Sequence, residues 1–249
     1  MQPHRFGDAG GGAAGPELPR PLLLAQSWSD AVFLHWRISA SAAAPYMPAG
    51  VEPDLFEGST WVGLIGFRVH GTHLAAALPL PYAGSFTEVN VRLYSRGSDG
   101  TRGVVFLSLD ASRLAFVLAA RAAGLRYVWS RCRPALTRDP APGYGYDVDR
   151  YRGQAASSFA VRPDLAREAG DRLSLWLTAR FGLHSRFAGR TVYLPNSHRP
   201  WPLHPAALTR LEDALVAAAG IAVGGPPESV LFSPGVRTRF GRPSILRRP

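Results

Sequence analysis

The chain contains no lysine; all 28 of its cations are arginine. Arginine stays protonated and cannot serve as a neutral amine nucleophile, so Schiff-base chemistry from a side chain is excluded. Cysteine is nearly as scarce. The single Cys132 rules out an intramolecular disulfide, and a cytoplasmic protein is the simpler expectation. Long apolar runs are missing too. Leu74 to Pro81, Leu114 to Ala120 and Ala214 to Val223 all fall short of the roughly 18 residues a membrane-spanning helix requires, so a soluble chain with no membrane partner is expected. Met1 to Pro19 has no apolar core of the signal-peptide kind; rich in Gly, Ala and Pro, it reads as a disordered leader.

What is abundant points to a sheet. Of the 249 residues 46% are hydrophobic, enough for a substantial core, while 22 Pro and 26 Gly with only 18% charged residues suit a turn-rich globule better than a helical bundle. One domain is expected over residues 20–236, followed by a basic tail at 237–249. The net charge of +10 is concentrated in that tail: residues 1–236 hold 23 cations against 18 acids, and Arg237, Arg239, Arg242, Arg247 and Arg248 follow. Nucleic acid is therefore not the expected main partner, although an Arg-tail binding module for an acidic partner is one alternative.

The stretch Phe86 to Asp110, FTEVNVRLYSRGSDGTRGVVFLSLD, reads as a hairpin that organises the rest. Val89, Val91 and Leu93 take one face of its first strand, and Glu88, Asn90, Arg92 and Tyr94 take the other. Ser98-Asp99-Gly100 supplies the turn. Trp28 to Ile38 is ambiguous, since Ser29 and Asp30 could cap a helical turn while Val32, Leu34, Trp36 and Ile38 alternate like a strand. A Glu57-Gly58 turn leads into a long strand, Ser59 to His70, apolar on both faces and so covered on both sides.

Asp110 to Gly124 reads as a helix capped by Asp110 or Ser112, and Asp171 to Phe181 as another. Strands are expected at Leu125–Leu136, Tyr144–Arg152, Gln154–Arg162, Leu183–Arg186, Arg190–Leu194 and Val230–Phe232, with an extended Arg199 to Leu203 run. A last helix, about Pro205 to Ala219, is suggested by Leu208, Leu211 and Leu215 in a stripe. The layout is α+β: a large, mostly antiparallel sheet with two or three helices.

The polar face of Glu88, Asn90, Arg92 and Tyr94 is either an ordinary wet face or the wall of a polar cavity. In a cavity, Arg92 could hold a carboxylate bidentately, Glu88 could trade protons, and Tyr94 could donate to a carbonyl oxygen. His35 is the other candidate base, though a histidine in an apolar stretch is more often a satisfied core residue. His70-Gly71-Thr72-His73 lacks the third and fourth ligands a zinc site needs, so no metal is expected. There is no Gly-x-Ser-x-Gly elbow, and the Gly10 to Gly15 run does not follow a strand, so no nucleotide cofactor is expected.

Six blocks together carry a resemblance: FLHW (Phe33 to Trp36), DLFEGSTWVGLIGF (Asp54 to Phe67), FTEVNVRLYS (Phe86 to Ser95), GVVFLSLDA (Gly103 to Ala111), LTARF (Leu177 to Phe181) and RPWPL (Arg199 to Leu203). In this order, over about Pro19 to Ser244, the chain resembles the YqjF-like family, domain of unknown function 2071. That family is similar in fold to the acetoacetate decarboxylase superfamily. The resemblance implies a curved antiparallel sheet closed around a polar-lined cavity, with Glu88 on the strand that brings a glutamate into the pocket. The decarboxylase works through a lysine Schiff base, and a chain without lysine does not inherit that activity from its fold. The expectation is a protein that binds a small anionic or carbonyl-bearing molecule through Arg92, Asn90, Glu88 and Tyr94. The alternative is an enzyme of lysine-free acid–base chemistry, of the isomerase or hydratase type, with Glu88 or His35 as base.

Overall fold

A computed structural model describes residues 14–75, 78–79, 84–122, 124–137 and 142–246. The elements in chain order are β1 (Leu24–Ile38), α1 (Ala40–Ala43), β2 (Val51–Pro53), β3 (Thr60–Leu74), β4 (Leu78–Pro79), β5 (Phe86–Gly97), β6 (Arg102–Ala111), α2 (Leu114–Ala122), β7 (Tyr127–Pro134), β8 (Tyr144–Arg150), β9 (Ala156–Pro163), α3 (Arg172–Thr178), β10 (Gly182–Phe187), β11 (Arg190–His198), β12 (His204–Asp213), α4 (Leu215–Ala218), β13 (Ser229–Phe240) and β14 (Ser244–Ile245). No helix among the described residues is long and apolar enough to cross a membrane.

The strand pairings close on themselves twice. One circuit runs β6-β7-β8-β9-β12-β13-β1-β3-β5 and returns to β6; the other runs β6-β10-β11-β13-β1-β3-β5 and returns to β6. The two circuits share the wall β13-β1-β3-β5-β6, so each strand of that wall shows one face to each circuit. The period of two in β5 therefore sorts its residues between them. Val89, Val91 and Leu93 enter the first circuit and join Val32, Leu34, Val62, Leu64, Tyr146, Val148 and Phe159 in a dry core. Each fully buried Val or Leu there contributes roughly 1.5–3 kcal/mol. Glu88, Asn90 and Arg92 turn toward the second circuit. β3 is apolar on both faces because it has a circuit on each side, with Val62 and Leu64 in one core and Ile65 and Phe67 in the other.

Local irregularities place the side chains. Trp28 to Ile38 is strand and not helix: Asp30 takes a positive φ of 53°, and the register shifts between Ser29 and Val32 against β3. Ser29 and Asp30, the candidate caps of a helical turn, thus belong to a bulge. The 205–219 helix is also corrected. Pro205 to Asp213 lies in β12, paired with β9 and β13, and only Leu215–Ala218 is helical. The register shift between Leu208 and Arg210 inserts one residue, so Leu208 and Leu211, three apart, both pack on the core. A bulged strand thereby imitates helical spacing. Asp110 does not cap α2; it lies in β6 and receives Arg150 through two hydrogen bonds, at 2.7 and 2.8 Å.

The termini are also more engaged than the sequence suggests. Residues 1–13 of the expected leader lie outside the described residues, but the Gly15 amide donates to the His198 carbonyl at 2.9 Å. The basic stretch does not leave the sheet at residue 236. Arg237 and Arg239 belong to β13, β14 pairs with β11, and the Leu246 amide donates to the Thr191 carbonyl at 2.9 Å. Arg247 and Arg248 lie outside the described residues.

Candidate ligand-binding cavity

The second circuit encloses a cavity of about 220 Å³. From β5 come Glu88, Asn90 and Arg92. Opposite them stand Arg180, just after α3, and Asn196 and His198 of β11; Tyr127 of β7, Thr178 of α3 and Gln26 of β1 complete the polar lining. The rest of the wall is apolar or aromatic, including Trp28, Phe33, Phe67, Phe106, Phe116 and Trp201. A small cavity with a few convergent polar groups in an apolar wall is the usual form of a metabolite site.

Glu88 is 5% exposed. Its Oε2 accepts the Tyr127 hydroxyl at 2.7 Å, and its Oε1 accepts the Asn90 amide at 3.5 Å. Burial raises its pKa to about 7, with the nearby Asp110 adding to the rise and the bonds from Tyr127 and Asn90 opposing it. This carboxyl is therefore balanced between acid and base near neutral pH. The same surroundings push the Tyr127 phenol well above its usual range, first through burial and then through Glu88, so Tyr127 remains a donor.

The two cavity arginines differ in how their charge is balanced. Arg180, 5% exposed, pairs through Nη1 with Asp54 Oδ2, donates from Nε to the Trp176 carbonyl at 2.8 Å, and lies 4.0 Å from the Trp176 ring centroid. Burial lowers its pKa to about 10, which leaves it protonated. Its Nη2 is buried without a partner among the described residues. Arg92 donates from Nη2 to the Tyr94 hydroxyl and to the Leu177 carbonyl, each at 3.3 Å, and its Nε is buried without a partner among the described residues. Among the described residues Arg92 makes no ion pair. The cavity thus presents a guanidinium with no carboxylate beside it.

Tyr94 and His35 do not border the cavity. They stand behind Arg92, with the Tyr94 hydroxyl 2.7 Å from His35 Nε2. His35 is fully buried opposite Gly63 in β3, where an added Cβ would lie 3.0 Å from the imidazole. Burial, then the charges of Arg92 and Arg180, hold its pKa well below the ordinary value, so it is neutral. Of the five residues singled out in the sequence, three share the cavity wall and two form its support. Elsewhere, His70 Nε2 lies 2.9 Å from Ser29 Oγ and His73 Nδ1 donates to the Gly71 carbonyl at 2.7 Å. No group of three or more His, Cys, Asp or Glu side chains converges among the described residues. Cys132 packs in the first core, where burial pushes its thiol pKa well up.

Residues 25–237 match DUF2071, an uncharacterized conserved protein family. The chain belongs to that family. It is 29% identical to the uncharacterized protein YqjF of Bacillus subtilis (strain 168) over 212 residues, covering 83% of this chain and 84% of YqjF. Among solved structures, an acetoacetate decarboxylase-like enzyme from Sphingomonas wittichii RW1 superposes with a TM-score of 0.64 at 13% identity, over 91% of this chain and 94% of that one. The enduracididine biosynthesis enzyme MppR complexed with pyruvate superposes with a TM-score of 0.63 at 16% identity, over 92% of each chain. The DUF2071 chain therefore has the acetoacetate decarboxylase-like fold, as the resemblance implied.

Six polar cavity residues lie outside the reading of the organising hairpin: Gln26, Tyr127, Thr178, Arg180, Asn196 and His198. Arg180 sits inside the LTARF block and His198 immediately precedes RPWPL. A chemically rich residue within or beside a family block is the signal that could have found both.

Proposed function

We propose that the cavity binds a small carboxylate that also carries a carbonyl group, with Arg92 as the carboxylate anchor. The observation that carries this reading is the unpaired Arg92 guanidinium on a mostly apolar wall. Arg92 is half-buried, and withdrawing a cation from water without a counter-ion is costly, while a planar carboxylate matches its fork of donors. Arg180, held in place by Asp54 and the Trp176 carbonyl, keeps Nη2 for the same guest. The volume of about 220 Å³ suits a small metabolite. MppR, which shares the fold, is complexed with pyruvate, a molecule of this class. Calorimetric titration of pyruvate and other 2-oxo acids into wild type and Arg92→Gln tests the reading. Binding weakened by about 10- to 100-fold in the variant supports it; equal affinity removes Arg92 as the anchor.

A second reading, that the bound molecule is turned over, is favoured by the Glu88 pKa of about 7 beside the same cavity. An ionised Glu88 could take a proton from the carbon next to the carbonyl: the C–H bond breaks, its electron pair becomes the C=C of an enolate, and the proton rests on Glu88. No step requires an amine, in keeping with a chain that has no lysine. Exchange of the pyruvate methyl protons with deuterated water, followed by proton NMR, tests it. Exchange that disappears in a folded Glu88→Gln variant supports enolisation; no exchange above the uncatalysed rate leaves a binding protein.

A further inference from the structure

The cavity wall is not uniform. Beyond Arg92 it continues as a run of aromatic rings. The guanidinium carbon lies 5.9 Å from the Phe33 ring centroid, Phe33 meets Trp201 edge-on at 5.2 Å, and Trp201 stacks on Trp28 at 5.9 Å with an interplanar angle of 15°. Phe67 stands 5.2 Å from Trp28, and His198 stands 5.4 Å from Trp201. All these residues line the cavity, and Trp28 and Trp201 are only partly buried, so the cavity borders their surface.

The polar atoms within this compartment are unusual. The indole Nε1 of Trp28 is buried without a hydrogen-bond partner among the described residues, and so is Oδ1 of Asn196, a residue 7% exposed on the same wall. A buried indole N–H is normally paired, because leaving it unpaired costs about 1–3 kcal/mol. Burial lowers the pKa of His198, and its Nδ1 is committed to the Arg199 carbonyl at 2.7 Å, so the imidazole adds a neutral flat surface. An aliphatic guest would leave the ring faces unused.

We infer that the guest's carboxylate at Arg92 is joined to a planar aromatic group lying among Phe33, Trp201 and Trp28, so that the ligand class is the aryl-substituted 2-oxo acid. This inference rests on Arg92 as the carboxylate anchor. Aromatic surfaces add to affinity beyond the area they bury, and a polar atom on the ring would meet the Trp28 N–H or Asn196 Oδ1.

Calorimetric titration of the full chain with pyruvate and with phenylpyruvate tests the inference. Phenylpyruvate binds at least about tenfold more tightly in wild type. Trp201→Ala brings the affinity ratio of the two acids toward one, while Arg92→Gln weakens both acids together and leaves the ratio in place. Pyruvate binding that depends on Arg92 with no preference for phenylpyruvate overturns the aromatic inference and leaves the anchor standing. No binding of either acid overturns both. Should Trp201→Ala fail to fold, the wild-type affinity ratio still decides, and Phe33→Leu serves as the second variant.

Discussion

The Tyr127 hydroxyl donates to Glu88 Oε2 across 2.7 Å, joining β7 to β5 at the floor of the cavity. Burial has nonetheless moved Glu88 to a pKa of about 7, so desolvation outweighs what the bond gives back. A carboxyl whose folded pKa lies above its unfolded value near 4.5 favours the folded state only while it is protonated. Its contribution is fully present below pH about 4.5 and is lost as pH rises through about 7. Denaturant unfolding of wild type and Glu88→Gln at pH 5 and pH 8 measures this. The variant gains on wild type between the two pH values, by on the order of 2 kcal/mol; identical pH profiles would show that Glu88 titrates at its ordinary value.

Asp54 accepts from the buried Arg180 and from Arg102 Nε at 2.9 Å. Asp54→Asn leaves Arg180 as an uncompensated buried cation and costs about 3–5 kcal/mol. The contrasting pair is Arg37 with Glu228, whose side chains are 41% and 49% exposed; Glu228→Gln costs under about 1 kcal/mol. Urea midpoints for the two variants separate a buried pair from a solvated one.

Gly66 in β3 faces the first core, where an added Cβ would lie 2.3 Å from Cδ2 of Tyr146 and 2.9 Å from Cζ of Phe159. The Tyr146 hydroxyl is tied to the Asp30 carbonyl at 2.6 Å, so the ring cannot move aside freely. Gly66→Ala therefore destabilises by roughly 1–3 kcal/mol through overpacking. Because Gly66 serves the first circuit and the ligand sits in the second, 2-oxo acid affinity at 20 °C stays within about twofold in the fraction that folds. A variant as stable as wild type would show that Tyr146 yields.

The alternation in β5 was legible because both faces of that strand are committed: Val89, Val91 and Leu93 to a dry core, Glu88, Asn90 and Arg92 to the cavity. Tyr94 keeps the alternation yet turns into support, because its hydroxyl is taken up by Arg92 and His35. Leu208 and Leu211 misled for a different reason, since a bulge changes which residues share a face and no local propensity announces it. Arg180 and Asn196 reach the cavity only when β10 and β11 fold back over the shared wall, a long-range event that leaves no periodic trace near either residue. Arg237 and Arg239 looked like a tail because positive charge and proline suggest solvent, yet backbone pairing to β1 and β11 holds that stretch while the side chains stay outside.

Arg92 is the cation proposed to receive the carboxylate, and both the anchor and the aromatic compartment proposed beside it rest on that role. Calorimetric titration of pyruvate at pH 7 into wild type and Arg92→Gln, with folding of both checked by circular dichroism, addresses it most directly. The predicted result is saturable one-site binding to wild type, weakened by about 10- to 100-fold in the variant. Equal heats and equal affinity in the two proteins, or no binding to wild type at any concentration reached, would contradict it.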